Sequence, residues 1–192
     1  MIQRKHILTL MLLLTGLAGV ISSDGCKTAK PNQPPLVDQV ITGLNIAQDV
    51  ANQLGPIVQP LNPEVATTIG KVSTDLGVIV KTYTIYDSAA GQTTTNIDLL
   101  RATAGSIQTN LSDILAAIGV KNPTLVTTVR VAVLVVNTAI TAVIDRLPPP
   151  TTPAAQAAHI SQLGVLPSAG AADLKKAWND EVSGKYPKAV VK

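Results

Sequence analysis

Phenylalanine is absent from the 192 residues, and tyrosine and tryptophan bring the aromatic share to only 2%. A core must then come from Val, Ile, Leu and Ala, and an apolar content of 46% is enough to build one. The same scarcity removes the stacking platforms that single-stranded nucleic acid requires. Charge is scarce too. Charged residues make up 14% of the chain and the formal net charge is +3, against about 25% charged residues in an ordinary globular protein. That excludes the basic footprint of a nucleic-acid binder and the composition of a charged disordered tail. One Cys and two His exclude a Cys/His zinc site. No metal, cofactor or nucleic-acid partner is expected; Thr and Ser supply the polar surface.

Catalytic groups are equally thin. General acid-base chemistry needs a titratable group poised near neutral pH. His159 stands in a Pro/Ala-rich segment with no acidic and nucleophilic constellation around it. The sequence has no Gly-x-Ser-x-Gly elbow and no glycine-rich phosphate loop ahead of a Lys-Ser/Thr pair. Helical di-metal sites use Glu and Glu-x-x-His, and Glu64 and Glu181 have no such histidine. Asp38, Asp49, Asp75, Asp98, Asp113 and Asp145 flank apolar stripes, as solvated carboxylates do. Asp38 and Asp98 are read as first-turn residues that favour the helix dipole. An enzyme is not expected.

What is present begins with a three-zone leader. Arg4, Lys5 and His6 give a positive start, Ile7 to Ile21 is a largely apolar run, and Ser22 to Cys26 is small and polar. About 15 apolar residues suit a signal peptide better than a membrane span of about 20. Gly25-Cys26 resembles the cleavage and lipidation site of a bacterial lipoprotein, in which the cysteine becomes the lipid-bearing N-terminus. Ser23 and Asp24 depart from that pattern. The resemblance covers residues 1–27 and implies export, a membrane anchor through Cys26 and, with Lys27 next, outer-membrane sorting in a cell with two membranes. Plain secretion and an uncleaved anchor are the alternatives. A single thiol also suits an oxidising compartment.

Removing residues 1–25 leaves about 167 residues, the size of one domain with a tail. Residues 26–35 contain Pro31, Pro34 and Pro35 and read as an extended tether. Four stripes of apolar residues at steps of three and four follow in residues 36–147. They run Val37 to Leu54, Val65 to Tyr86, Ile97 to Ile118 and Val126 to Leu147. This spacing lines one face of a helix. The expected fold is all-α, a four-helix bundle made of two repeated helical hairpins, with a C-terminal linker and a short helix. Asn62-Pro63 and Asn122-Pro123 read as caps with proline at the first helical position. Thr95-x-x-Asp98 reads as a capping box. Gly55-Pro56, Gly91 and Gly119 read as stops for the first three helices, and Pro148 to Pro150 end the fourth.

The repeat rests on Asn62-Pro63 with Thr67-Thr68, which parallels Asn122-Pro123 with Thr127-Thr128 sixty residues later. That offset also carries Val37-Asp38 onto Ile97-Asp98. Gly43, Gly70, Gly77 and Gly105 inside the helices suggest close helix approach. The fourth helix is apolar on more than one stripe from Val131 to Ile144. It reads as centrally buried, too short and polar to cross a membrane, or as a partner-binding face along Val131, Val135, Ala139 and Ala142. Residues 148–170 form a Pro/Ala-rich linker, and residues 171–192 an amphipathic helix with a basic tail. Leu174 and Trp178 lie on one face of that helix, either docked on the bundle or held out to a partner or an anionic surface. Tyr83 and Tyr86 read as packing residues. Together these features point to an exported, membrane-anchored envelope protein with a structural or interaction role and an envelope partner. A binding module for a lipid or other apolar molecule, and a small membrane-active protein of the holin type, are the alternatives.

Overall fold

The computed structural model describes residues 36–118, 123–148 and 169–192, and among these the fold is all-α, with no strand. Helix α1 spans Leu36–Val58, α2 Pro63–Tyr86, α3 Thr94–Ala117, α4 Pro123–Ile144 and α5 Ala171–Val182. Short 3-10 turns occupy Ala89–Gly91 and Pro187–Ala189.

The helix ends follow from local chemistry. Asn62 caps α2: its side-chain oxygen accepts from the Val65 N–H at 3.2 Å, and Pro63 opens the helix. Proline is favoured there because its missing N–H is one of the donors that have no intrahelical partner. Pro123 is the first residue of α4, while Asn122 lies outside the described residues. The start of α3 differs from the expected box at Thr95 and Asp98. Thr93 is the cap, accepting from the Asn96 N–H at 3.2 Å, while Asn96 Nδ2 donates to the Gly91 carbonyl at 2.7 Å. Asp98 therefore lies beyond the first turn, where the dipole effect has faded.

Gly55-Pro56 does not stop α1. The helix continues to Val58, and Gln59 N–H still reaches the Gly55 carbonyl at 2.9 Å. Proline removes a hydrogen bond to the residue four back, here Asn52, which is exposed, so water can take that carbonyl. Continuing the helix buries Val58 completely, which offsets the loss. At the far end of the fold, α4 stops at Ile144, and Leu147 follows in a turn.

The threonine-rich stretches hold as helix because hydroxyls find acceptors within them. Thr67, Thr68, Thr74, Thr84, Thr109 and Thr127 each donate to the carbonyl four residues back. That local bond satisfies a polar group without interrupting the backbone ladder.

Packing follows chain order. α1 lies against α2 and α4, α2 lies against α3, and α3 meets α4 over a smaller contact. Helix α5 seats on α1 and α4, and the turn at Pro187–Ala189 packs on α1 and α5. The core is aliphatic: Leu44, Ile69, Leu76, Ile79, Leu100, Ile107, Ile114 and Ile140 are fully covered.

Two glycine expectations change. Gly70 and Gly105 have open space where a Cβ would stand, so close helix approach does not explain them. Gly77 faces the Gln48 side chain and Gly43 faces Leu174. Gly91 is the position that demands glycine, because a Cβ there would collide with the Ile85 carbonyl.

Candidate functional site

The C-terminal helix and its seat are the most elaborated contact in the molecule. Leu174, Trp178 and Val182 recur at four-residue steps, which places them on one face of α5. All three are buried, Trp178 completely. An indole brings a large apolar surface and one N–H that needs an acceptor when covered. Trp178 Nε1 donates to the Ala189 carbonyl at 2.8 Å. Next to it, Asn179 grips the tail with both ends of its amide: Oδ1 accepts from the Val191 N–H at 2.9 Å, and Nδ2 donates to the Val191 carbonyl at 3.0 Å. Ala189 and Val191 are buried as a result, while Val190 between them is exposed.

A charged link ties the same helix to α4. The Thr128 hydroxyl donates to Glu181 Oε1 at 2.7 Å, and Lys185 Nζ donates to that oxygen at 2.6 Å. Burial opposes the charged form of Glu181. Hydrogen bonds from Lys185 and Thr128, with the Lys185 charge, outweigh it and hold the carboxyl below its ordinary range.

This geometry answers to the docked alternative for the C-terminal helix and the buried one for α4. Trp178, Leu174 and Val135 are covered by the chain's own helices, and so is Ala139; Val131 is partly buried against the core. The face along Val131, Val135, Ala139 and Ala142 is not open, because α1 and α5 lie against α4. The length judgement on α4 also changes. Leu125–Ile144 is 20 residues with a mean hydropathy of 1.8, long and apolar enough to cross a membrane by those two measures. Two-thirds of its most apolar window is buried within the protein, as in a core helix.

Among the described residues, the core helices enclose little space. The cavity enclosed by Leu54, Ile69, Leu111, Ile114, Val133 and Val136 is about 10 Å³, far below the several hundred Å³ of a site for a drug-sized ligand. A cleft of about 70 Å³ lies between Gln39, Thr138, Arg146 and the start of α5 at Gly170. The Gly170 N–H is already taken there by Asp173 at 2.9 Å. Among the described residues no group of three His, Cys, Asp or Glu side chains could hold a metal ion.

Tyr83 and Tyr86 close the α2 stripe, both covered, with ring centroids 6.0 Å apart. Burial pushes the Tyr83 hydroxyl above its ordinary range, and Arg146 opposes this more weakly. Cys26 and His159 lie outside the described residues. The sequence reading missed Asn179, Thr128 and Glu181. Asn179 follows the lone Trp, a signal that could have marked it; Thr128 and Glu181 are 53 residues apart and carry no local signal.

Comparison with known proteins adds no family: no family model, curated protein or solved structure matches the chain.

Proposed function

We propose that the protein is an exported, lipid-anchored helical protein of a bacterial cell envelope with a structural or interaction role. The observation that carries this reading is the position of Cys26. The only cysteine in the chain follows Gly25, just past the short polar stretch that closes the apolar run. A fully buried core position is the usual place for a structural free thiol; a cysteine at the end of a leader suits lipid attachment instead.

The body suits a scaffold better than a carrier. Its central cavity of about 10 Å³ leaves no room for a lipid chain. The membrane-active reading draws on the length and hydropathy of Leu125–Ile144, but insertion would require α4 to shed α1 and α5 first.

The body itself is read as a four-helix bundle built from two related hairpins. Burial recurs at the sixty-residue offset. Val40, Leu44, Ala47, Ala51 and Leu54 on α1 are buried, as are Leu100, Ala104, Ile107, Leu111 and Ile114 on α3. Val65, Ile69, Val72, Leu76, Ile79 and Tyr83 on α2 match Leu125, Val129, Ala132, Val136, Ala139 and Val143 on α4. The copies diverge where α1 also buries Ile46 and Val50, against the more exposed Ser106 and Asn110 on α3. That second stripe is the one an inner helix needs.

Membrane fractionation tests the functional reading. The full chain should partition with membranes of a bacterial host and take up labelled fatty acid, and Cys26→Ser should abolish that label. Membrane association of the unsubstituted chain without any fatty-acid label would contradict lipid anchoring and favour the membrane-active reading.

A further inference from the structure

The seam between α3 and α4 is chemically unlike the seam between α1 and α2. Across α1 and α2, Gln48 Nε2 donates to the Ser73 carbonyl at 3.3 Å, and the Ser73 hydroxyl donates to Asn52 Oδ1 at 2.6 Å. Polar groups placed in that seam close on one another. At the sixty-residue offset, Gln108 stands where Gln48 does, but Val133 replaces Ser73 and Ser112 replaces Asn52. Helices α3 and α4 also meet over a smaller contact than α1 and α2.

Two solvent-shielded polar atoms on these helices have no hydrogen-bond partner among the described residues, Gln108 Nε2 on α3 and Thr141 Oγ1 on α4. Their levels agree to within about a turn. Arg101, at the start of α3, donates to the Pro148 carbonyl just past α4. That bond brings the start of α3 beside the end of α4, so the two helices run antiparallel and Gln108 falls near the level of Thr141. The small core cavity gives the same register within about a turn, since Leu111 and Ile114 share it with Val133 and Val136. Asn137, one turn before Thr141 on the same side of α4, is fully buried. An amide donor, a hydroxyl and a buried asparagine thus collect in one short stretch of an otherwise aliphatic interior.

Native proteins leave few buried donors and acceptors unmade, and ordered water satisfies those that no protein group reaches. A water oxygen can accept from the Gln108 amide while its hydrogens serve the Thr141 hydroxyl, which two aliphatic neighbours could not do. We propose that the α3/α4 seam is a binding site for ordered water that bridges Gln108 and Thr141 beside Asn137. The inference is independent of lipid anchoring.

The sign of a stability change tests it. Gln108→Leu and Thr141→Val, made singly and together in the full chain, are compared by urea denaturation. If water links the two side chains, each single change lowers the midpoint, and the double change lowers it by less than the sum, because the second removes a partner already lost. If the atoms are dry and unpaired, removing either polar group raises the midpoint and the effects add. That result, or no shift at all, would overturn the proposal. Should either variant fail to give a helical circular dichroism spectrum, the unsubstituted chain decides through its own NMR spectra. A long-lived water cross-peak to the Gln108 side-chain amide is expected, and its absence would overturn the site.

Discussion

A few side chains carry consequences out of proportion to their number. Trp178 is fully covered and its N–H is satisfied by Ala189, so truncation loses both apolar burial and a hydrogen bond. Trp178→Ala should cost about 3–5 kcal/mol of stability in urea denaturation. A cost under about 1 kcal/mol would mean that α5 is not seated as described. Glu181 adds a pH signature. Its carboxyl is held below the ordinary range by Lys185 and Thr128. The stabilisation it gives is present at neutral pH and lost as pH falls below about 4, where the carboxyl is protonated. Glu181→Gln should flatten that part of the stability-against-pH curve; an unchanged acid limb would show that the link is not formed. Tyr83 acts at the opposite end. Burial raises its folded pKa, so stability is lost as pH climbs past about 10, where the unfolded chain ionises first. Tyr83→Phe should remove that slope.

At the scale of the helix, the balance between propensity and packing explains most of what the sequence revealed and most of what it concealed. The 3-4 spacing of apolar residues located all four long helices, and α5 runs over Ala171–Val182, the stretch where Leu174 and Trp178 suggested a helix. Asn62 and Pro63 announced the start of α2 because a cap is local chemistry. The same local logic misplaced two boundaries. Pro56 is tolerated inside α1 because Val58 still gains a buried place, a tertiary fact. Thr93 competes with Thr95 as a cap, and the contact between Asn96 and Gly91 favours Thr93. Gly70 and Gly105 remain the weak points of α2 and α3, with open space at the Cβ position. Gly70→Ala and Gly105→Ala should each raise stability by roughly 0.5–1 kcal/mol by thermal or urea denaturation. A loss instead would show that these glycines serve a contact outside this chain.

Over the whole molecule, the sequence disclosed an all-α body but not how its tail was used. The fate of Trp178 could be decided only by its acceptor, Ala189, which is supplied by the turn after α5. The links from Thr128 to Glu181 and from Gln48 to Ser73 join residues far apart in the chain, and no periodicity announces them. The scarcity of charge and of histidine, by contrast, was legible at once, because composition limits chemistry before folding begins. The resulting account is of an aliphatic helical body closed by its own C-terminal helix, with a lipid anchor proposed at Cys26. The most direct test of its central claim is mass spectrometry of the N-terminal peptide from protein isolated from its own membrane. The account predicts a chain that begins at Cys26 and carries acyl and diacylglyceryl groups on that residue. An unmodified Cys26, or a chain that begins elsewhere, would contradict it.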